Sequence, residues 1–228
     1  YCDFSGYSDM AIACAGLLGY KFPANFDSPY LSPDIQDFWR RWHISLSSWL
    51  RDYLYIPLGG NRRGNARRDV NLMTTMVLGG LWHGASFNFV IWGFLHGIAL
   101  IVQRGWNSLV ARRVPAMGLI GGFIGGAVTY YWVNLAWIFF RAADLGEAMA
   151  ISRTYLTWSS TGDNVLPIAV WPLLAGLGLV HWVSHRFGAQ EMIERLGPNR
   201  FAVTYGAIAA IAIAFVPLGY RPFIYFQF

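Results

Sequence analysis

The chain has 228 residues, of which 55% are hydrophobic, 17% are aromatic and 13% are charged. A soluble domain averages about 25% charged residues, so this composition excludes an ordinary soluble protein and predicts an all-α, polytopic membrane helix bundle. The net charge of +5 comes almost wholly from arginine, since Lys21 is the single lysine. In a chain this apolar, basic loops that orient membrane helices explain the charge better than nucleic-acid binding does.

Six apolar runs define the predicted membrane segments. They cover residues 1–20, 71–83, 86–103, 117–140, 165–184 and 201–219. Because the first run is already apolar at its start, we expect residues 1–228 to be a fragment that lacks its N-terminal part. Cys2 and Cys14 lie in this run without metal-ligand spacing and are predicted to be small buried residues. Asp9, in the same run, indicates either a substrate or proton path or a hydrogen-bonded helix contact.

Residues 32–53 have helical periodicity but do not read as a membrane span. Ser32 is the predicted N-cap and Pro33 the first helical residue. Apolar residues recur at intervals of three and four along one face. They are Ile35, Phe38, Trp39, Trp42, Leu46, Trp49, Leu50 and Tyr53. The pattern predicts one amphipathic helix at the cytoplasmic interface, with His43 at the edge of its buried side.

The distribution of arginine predicts the orientation of the segments. Residues 21–70 hold eight Lys and Arg, residues 104–116 and 185–200 hold three each, and residues 141–164 hold two. Loops rich in Lys and Arg stay in the cytoplasm. We therefore expect the first three stretches inside, and 141–164 and the C-terminus outside.

Residues 71–103 then begin and end on one side, which predicts a re-entrant hairpin. Its first limb, 71–83, rises only about 18 Å, a little past the middle of the bilayer. The glycines of "GGLWHG" permit the tight turn and the close helix packing that a hairpin needs. His83 would lie at membrane depth beside a cavity, because irregular backbone is tolerated there only within protein or beside water.

The five histidines are the main candidates for chemistry. His83 is interpreted as a general base, because burial favours the neutral ring, and the alternative is a core histidine bonded to a carbonyl. His43 either orients a substrate or caps the interface, and His96 is assigned to packing ahead of function. His181 and His185 have the i, i+4 spacing of a metal pair without an acidic partner. They are predicted to anchor the interface, and no metal site is expected.

The basic run "NRRGNARRD", residues 61–69, is interpreted as an orientation signal. The alternative is contact with an anionic, phosphate-bearing donor. The sequence has no GxSxG elbow, Walker A loop, Rossmann glycine pattern or HExxH motif.

Two long motifs carry a resemblance to a known family. "FWRRWHISLSSWLRDYLYIPLGGNR" (38–62) and "LGGLWHGASFNFVIWGFLHG" (78–97) resemble the membrane-bound O-acyltransferases (MBOAT), in the branch of bacterial alginate O-acetyltransferases. "YCDFSGYSDMAI" (1–12), "AWIFFRAADLGEAM" (136–149) and "PFIYFQF" (222–228) match the same branch. The resemblance covers essentially the whole chain and implies a many-helix bundle around a tunnel. It also implies that residues 1–228 are the C-terminal part of a single transmembrane domain, without its N-terminal helices.

The resemblance implies transfer of an acetyl group from a cytoplasmic thioester to hydroxyls of an extracytoplasmic polysaccharide such as alginate. Acetyl-CoA or another acyl thioester is the implied donor, no bound cofactor is implied, and the implied location is the bacterial inner membrane. Implied partners are periplasmic acetyltransferase proteins, the polysaccharide and membrane lipid. The family's catalytic histidine, in "WHG", corresponds to His83, and the "RWH" histidine, His43, assists it. The candidate tunnel residues are Trp82, Trp39, Asp9 and His96.

In the expected mechanism His83 takes a proton from the acceptor hydroxyl, and His43 or the Trp82 indole stabilises the oxyanion. Three alternatives stay open. They are transfer of D-alanine or another acyl group, a transporter whose histidines relay protons, and a non-catalytic scaffold for polysaccharide assembly.

Overall fold

Every regular element that the computed structural model describes is a helix. The described residues are 1–109, 118–159, 167–168, 170–188, 192 and 195–214. The helices are α1 (Cys2–Leu17), α2 (Ile35–Arg41), α3 (Ile44–Leu50), α4 (Gly64–Leu81), α5 (Phe87–Leu109), α6 (Gly118–Arg141), α7 (Leu145–Thr157), α8 (Val170–Phe187) and α9 (Pro198–Ala214). A 3₁₀ turn at Pro29–Leu31 precedes α2, and a π-helical turn at Arg51–Tyr55 follows α3. The prediction of an all-α protein is confirmed.

Two helices are long and apolar enough to cross a membrane within the described ranges. They are Phe87–Ser108 of α5 and Ile120–Arg141 of α6. The chain forms two compact units, Tyr1–Asp163 and Asn164–Phe228, and the second contains α8 and α9. The motif at 222–228 lies outside the described residues, and so do parts of the predicted loops and apolar runs. Those parts are residues 110–117, 160–166, 169, 189–191, 193–194 and 215–219.

The prediction of one helix over 32–53 is wrong. Ser32 ends the 3₁₀ turn, and the N-cap of α2 is Asp34, whose side chain accepts from the Asp37 backbone N–H at 2.8 Å. After α2, Trp42 is extended and His43 is left-handed, with φ 44° and ψ 55°. Because of this break, the apolar side chains of α2 and those of α3 do not form one continuous face.

The core of the first unit explains why the helix breaks. Trp42 is buried with Ile35, Phe38 and Val133 of α6. Further along the predicted stripe, Trp49 and Tyr53 are exposed. A straight helix would hold both halves of the stripe on one face. A second cluster, formed by Trp92, Ala136, Phe139 and Ala148, ties α5, α6 and α7 together.

Helices α4 and α5 form the predicted hairpin, with a longer first limb than expected. Helix α4 begins at Gly64, and its 18 residues rise about 27 Å rather than 18 Å. A side chain at Gly80 would clash with the Phe89 carbonyl, and one at Gly93 with the Met76 carbonyl, so the two backbones meet at these glycines. An ion pair joins Asp69 and Arg104 at the open end. The depth of the hairpin in a membrane stays a prediction.

The stretch that follows α6 contains a helix, α7, which folds back along α6. Asp144 caps α7 by accepting from the Glu147 N–H at 2.9 Å. The Tyr131 hydroxyl donates to the Tyr155 carbonyl at 3.2 Å, and the Tyr155 hydroxyl donates to the Tyr131 carbonyl at 3.1 Å. These contacts make the two helices antiparallel neighbours.

The prediction that Cys2 and Cys14 are buried is wrong, since both are free and exposed on α1. Helix α1 buries Ser8 and Ala15 instead.

Candidate functional site

His83 lies in the turn at the tip of the α4–α5 hairpin, outside both candidate spans. Its backbone N–H donates to the Gly80 carbonyl at 2.9 Å, which continues the last turn of α4. The ring contacts Trp92 of α5 and Phe140 of α6 edge-on, with centroid distances of 5.2 and 4.9 Å. The partly buried imidazole is therefore held by aromatic rings from two helices.

His43 lies at the break between α2 and α3. Its ring meets Phe4 of α1 edge-on at 4.8 Å, and Nδ1 is 3.2 Å from the Asn25 amide oxygen. A positive φ is uncommon outside glycine, and strained backbone of this kind clusters at functional sites. The left-handed backbone of His43 is therefore a second indication, beside its imidazole ring, of a functional position.

Trp82 links the two histidines. Its ring centroid is 4.9 Å from that of His83 and 6.4 Å from that of His43. His43 and His83 are 40 residues apart in the sequence (83 − 43). The 38–62 and 78–97 motifs that contain them therefore meet at the hairpin tip. Trp82 itself is 59% exposed, so the group borders open space.

Burial makes both imidazoles weak bases. It lowers the pKa of His43 to about 4. It also lowers the pKa of His83 to about 4, with a smaller contribution from charge on His43. Both rings are therefore neutral at pH 7, which is the form that accepts a proton.

Two of the predicted tunnel residues, His96 and Asp9, lie outside the group formed by His43, Trp82 and His83. His96 is fully buried, stacked on Phe38 with its Nδ1 accepting from Trp39 Nε1 at 3.3 Å, so packing is the function that its surroundings support. Asp9 is exposed on α1, and in the described part of the chain no hydrogen bond or charge interaction joins it to His43 or His83.

His181 and His185 lie on α8, in the second unit. Among the residues that the structure describes, no group of three or more His, Cys, Asp or Glu could hold a metal ion. From the basic run, Asp69 pairs with Arg104, and the Asn65 amide oxygen accepts from Arg68 at 2.9 Å.

Sequence reasoning missed Asn25, Trp92 and Phe140. Asn25 lies in a stretch without periodicity, 18 residues before His43, and only the folded chain brings the two together. Trp92 belongs to the same motif as His83, nine residues later (92 − 83), so the motif contains a signal for it. Phe140 contacts His83 from α6, and its place in "AWIFFRAAD" offers no comparable signal.

Residues 1–143 match the family model of MBOAT, the membrane-bound O-acyltransferase family. The "probable alginate O-acetylase AlgI" of Pseudomonas putida is 40% identical over 100% of this chain and 51% of its own length. The peptidoglycan O-acetyltransferase of Helicobacter pylori is 48% identical over 67% of this chain and 28% of its length. A teichoic acid D-alanyltransferase of Streptococcus thermophilus is 40% identical over 46% and 27%.

The chain spans about half the length of the Pseudomonas putida relative, whose match covers it from end to end. The family match covers both histidine motifs and all of the elements, α1 to α6, that build the group around His83. The chain belongs to the membrane-bound O-acyltransferase family, and its helices are those of a membrane protein.

Proposed function

We propose that the whole protein is a multi-pass enzyme of the bacterial inner membrane. It moves an acetyl group from a cytoplasmic acyl thioester, such as acetyl-CoA, toward hydroxyls of an extracytoplasmic polysaccharide such as alginate. Periplasmic acetyltransferase proteins complete the transfer to the polymer. The similarity to O-acetylases along the chain supports acetate as the group transferred.

The observation that carries this proposal is the meeting of His43 and His83 around Trp82. Two neutral imidazoles beside an exposed indole provide a proton acceptor and hydrogen-bonding groups at one place. Acyl transfer from a thioester to a hydroxyl needs a base for the hydroxyl proton and a donor for the oxyanion. A general base of this kind contributes about 10²–10⁴-fold in rate.

In the proposed reaction His83 takes the proton of the acceptor hydroxyl as the oxygen attacks the thioester carbonyl. The new C–O bond forms, the C–S bond breaks, and the thiolate takes the proton back from His83. The neutral imidazole is then ready for the next cycle. The Trp82 indole N–H has no hydrogen-bond partner among the described residues, so it is available to the developing oxyanion.

Transfer of D-alanine is the second candidate, because the Streptococcus thermophilus relative is named a teichoic acid D-alanyltransferase. That similarity covers 46% of this chain, whereas similarity to the Pseudomonas putida O-acetylase covers all of it. The proposal therefore favours acetate.

The test uses membranes that contain the full-length protein. They are supplied with [¹⁴C]acetyl-CoA or with D-[¹⁴C]alanine on its carrier thioester, together with de-acetylated alginate and the periplasmic fraction. Alkali-labile [¹⁴C]acetate on the polymer, lost when the protein is deleted, is the expected result. Alanine on the polymer, or no label from either donor, would overturn the proposal.

A further inference from the structure

Asn25 fills the gap that the helix break leaves at the start of α3. Its backbone carbonyl accepts from the Ile44 N–H at 3.0 Å, and its side-chain oxygen accepts from the Ser45 N–H at 3.1 Å. The first N–H groups of a helix have no partner within the helix, so Asn25 supplies partners from a distant part of the chain. On its other side, the amide nitrogen of Asn25 donates to the buried Ser8 hydroxyl of α1 at 3.5 Å.

These contacts fix which way the Asn25 amide points. A backbone N–H can only donate, so the atom of Asn25 that faces Ser45 is the oxygen. The same oxygen is 3.2 Å from His43 Nδ1. An amide oxygen can only accept, and the nearby Ser45 hydroxyl donates to this same oxygen at 3.0 Å, so these contacts assign the proton of His43 to Nδ1. The neutral ring then has its lone pair on Nε2, which has no hydrogen-bond partner in the part of the chain that the structure describes.

We propose that Asn25 is a positioning residue, which holds His43 in its Nδ1–H tautomer and makes Nε2 a hydrogen-bond acceptor in the transfer site. The assignment of the tautomer rests on the contacts above, and its use in catalysis rests on the proposed function. A neutral His43 held in this way has no proton on Nε2, so it does not donate to an oxyanion. Its neighbour His83 becomes positively charged during transfer, and an acceptor nitrogen stabilises that charge where an N–H would oppose it.

Among the residues that the structure describes, His83 is the titratable group whose charge interacts with that of His43. The side chains that contact His43 carry no ionisable group; they are Phe4 of α1, Asn25, Ser45 of α3 and Trp82 at the end of α4. A new carboxylate at position 25 would therefore dominate the charge state of His43. Asn25→Asp keeps the accepting oxygen but favours the imidazolium, whereas Asn25→Leu removes the acceptor.

The tautomer is measured directly by ¹⁵N NMR on full-length protein labelled with [¹⁵N]histidine in detergent micelles. The His43 signals are assigned by their loss in His43→Gln. We expect the Nδ1–H pattern in the natural protein and in Asn25→Asp at high pH, and an increased share of Nε2–H in Asn25→Leu. An Nε2–H pattern for His43 in the natural protein would overturn the proposal, whether or not the protein transfers acetate.

The second readout is the pH dependence of thiol release from acetyl-CoA. With Asn25→Asp the acid limb moves to higher pH by about 1–3 units, as a carboxylate next to an imidazole requires. Asn25→Leu loses about 10- to 100-fold in rate without such a shift, the size of loss that follows when the orienting partner of a metal-ligating histidine is removed. Asn199→Asp, a matched exchange at an exposed position on α9, leaves the profile unchanged. If Asn25→Asp leaves the limb in place, Asn25 serves only as a helix cap and the proposal fails.

Discussion

The ring of His83 lies among aromatic side chains that make no hydrogen bond to its nitrogens. Its ring is held by Trp82, Trp92 and Phe140 and has no hydrogen-bond partner among the described residues. His43, by contrast, is oriented by Asn25. The two rings therefore differ at the level of single atoms: the Asn25 contact favours one tautomer of His43, whereas no such contact restricts His83, which suits the base that we propose.

The lowered pKa of both histidines predicts activity well below neutral pH. Burial lowers each value from an ordinary 6.5 to about 4, so the neutral forms persist as the pH falls past 6.5 and are lost near 4. The initial rate of thiol release from acetyl-CoA should stay constant from pH 7 to about pH 5 and fall below it. An acid limb centred near 6.5 would show that these rings are solvated as in free histidine.

The left-handed backbone of His43 predicts how substitutions there behave. Asparagine tolerates this conformation better than other side chains with a Cβ. His43→Asn should therefore keep a thermal midpoint close to that of the natural protein, while His43→Gln lowers it, and both lose acetyl transfer. Thermal unfolding in detergent and polymer acetate, measured on the same two variants, separate the two effects. Equal midpoints would contradict the argument from backbone strain.

The sequence identified the candidate histidines, but it did not identify the residues that contact and orient them. An imidazole in an apolar run is visible in the sequence, because a titratable group there is costly. Asn25 cannot be identified in this way, because a polar residue in a polar stretch carries no such energetic cost. Its contact with His43 depends on a helix break that periodicity does not reveal.

The α4–α5 hairpin depends on glycines where the helices meet. Gly80 and Gly93 leave no room for a Cβ against the facing backbone, whereas Gly105, also on α5, has nothing within 4 Å. Gly80→Ala or Gly93→Ala should push the helices apart, destabilise the protein by about 1–3 kcal/mol and move the turn that holds His83. Thermal unfolding and acetyl transfer are the measurements. Gly105→Ala is the matched control and should be neutral or stabilising, because alanine favours helices.

At the element scale, the hairpin and the long apolar helices were predictable, and helix ends were not. Helix α4 starts among charged residues of the basic run, so an apolar count places its beginning too late. The mixed composition of α7 does not distinguish it from a loop. The "DLGE" at 144–147 is a capping pattern that signals its start. The break at His43 is not visible in the periodicity, because the apolar stripe continues across it.

The arginine count and the hairpin together predict how the first unit is oriented in a membrane. Asp69 and Arg104 form an ion pair at the open end, so the beginning of α4 and the end of α5 lie on one side. The test uses full-length protein in which every native cysteine, including Cys2 and Cys14, is replaced by serine. Asn65→Cys and Asn107→Cys should then react with an impermeant maleimide from the cytoplasmic side, and Ala143→Cys from the periplasmic side. Labelling of positions 65 and 107 from opposite sides would contradict the hairpin.

The central claim is that His83 is the base of an acetyl transfer. The most direct measurement is the O-acetyl content of the exopolysaccharide from cells whose full-length protein carries His83→Gln at natural membrane levels. His185→Gln, at an exposed position on α8, is the matched control. We expect His83→Gln to reduce the initial rate of acetylation by about 10²–10⁴-fold and His185→Gln to leave it unchanged. Natural acetylation by His83→Gln would rule out His83 as the base.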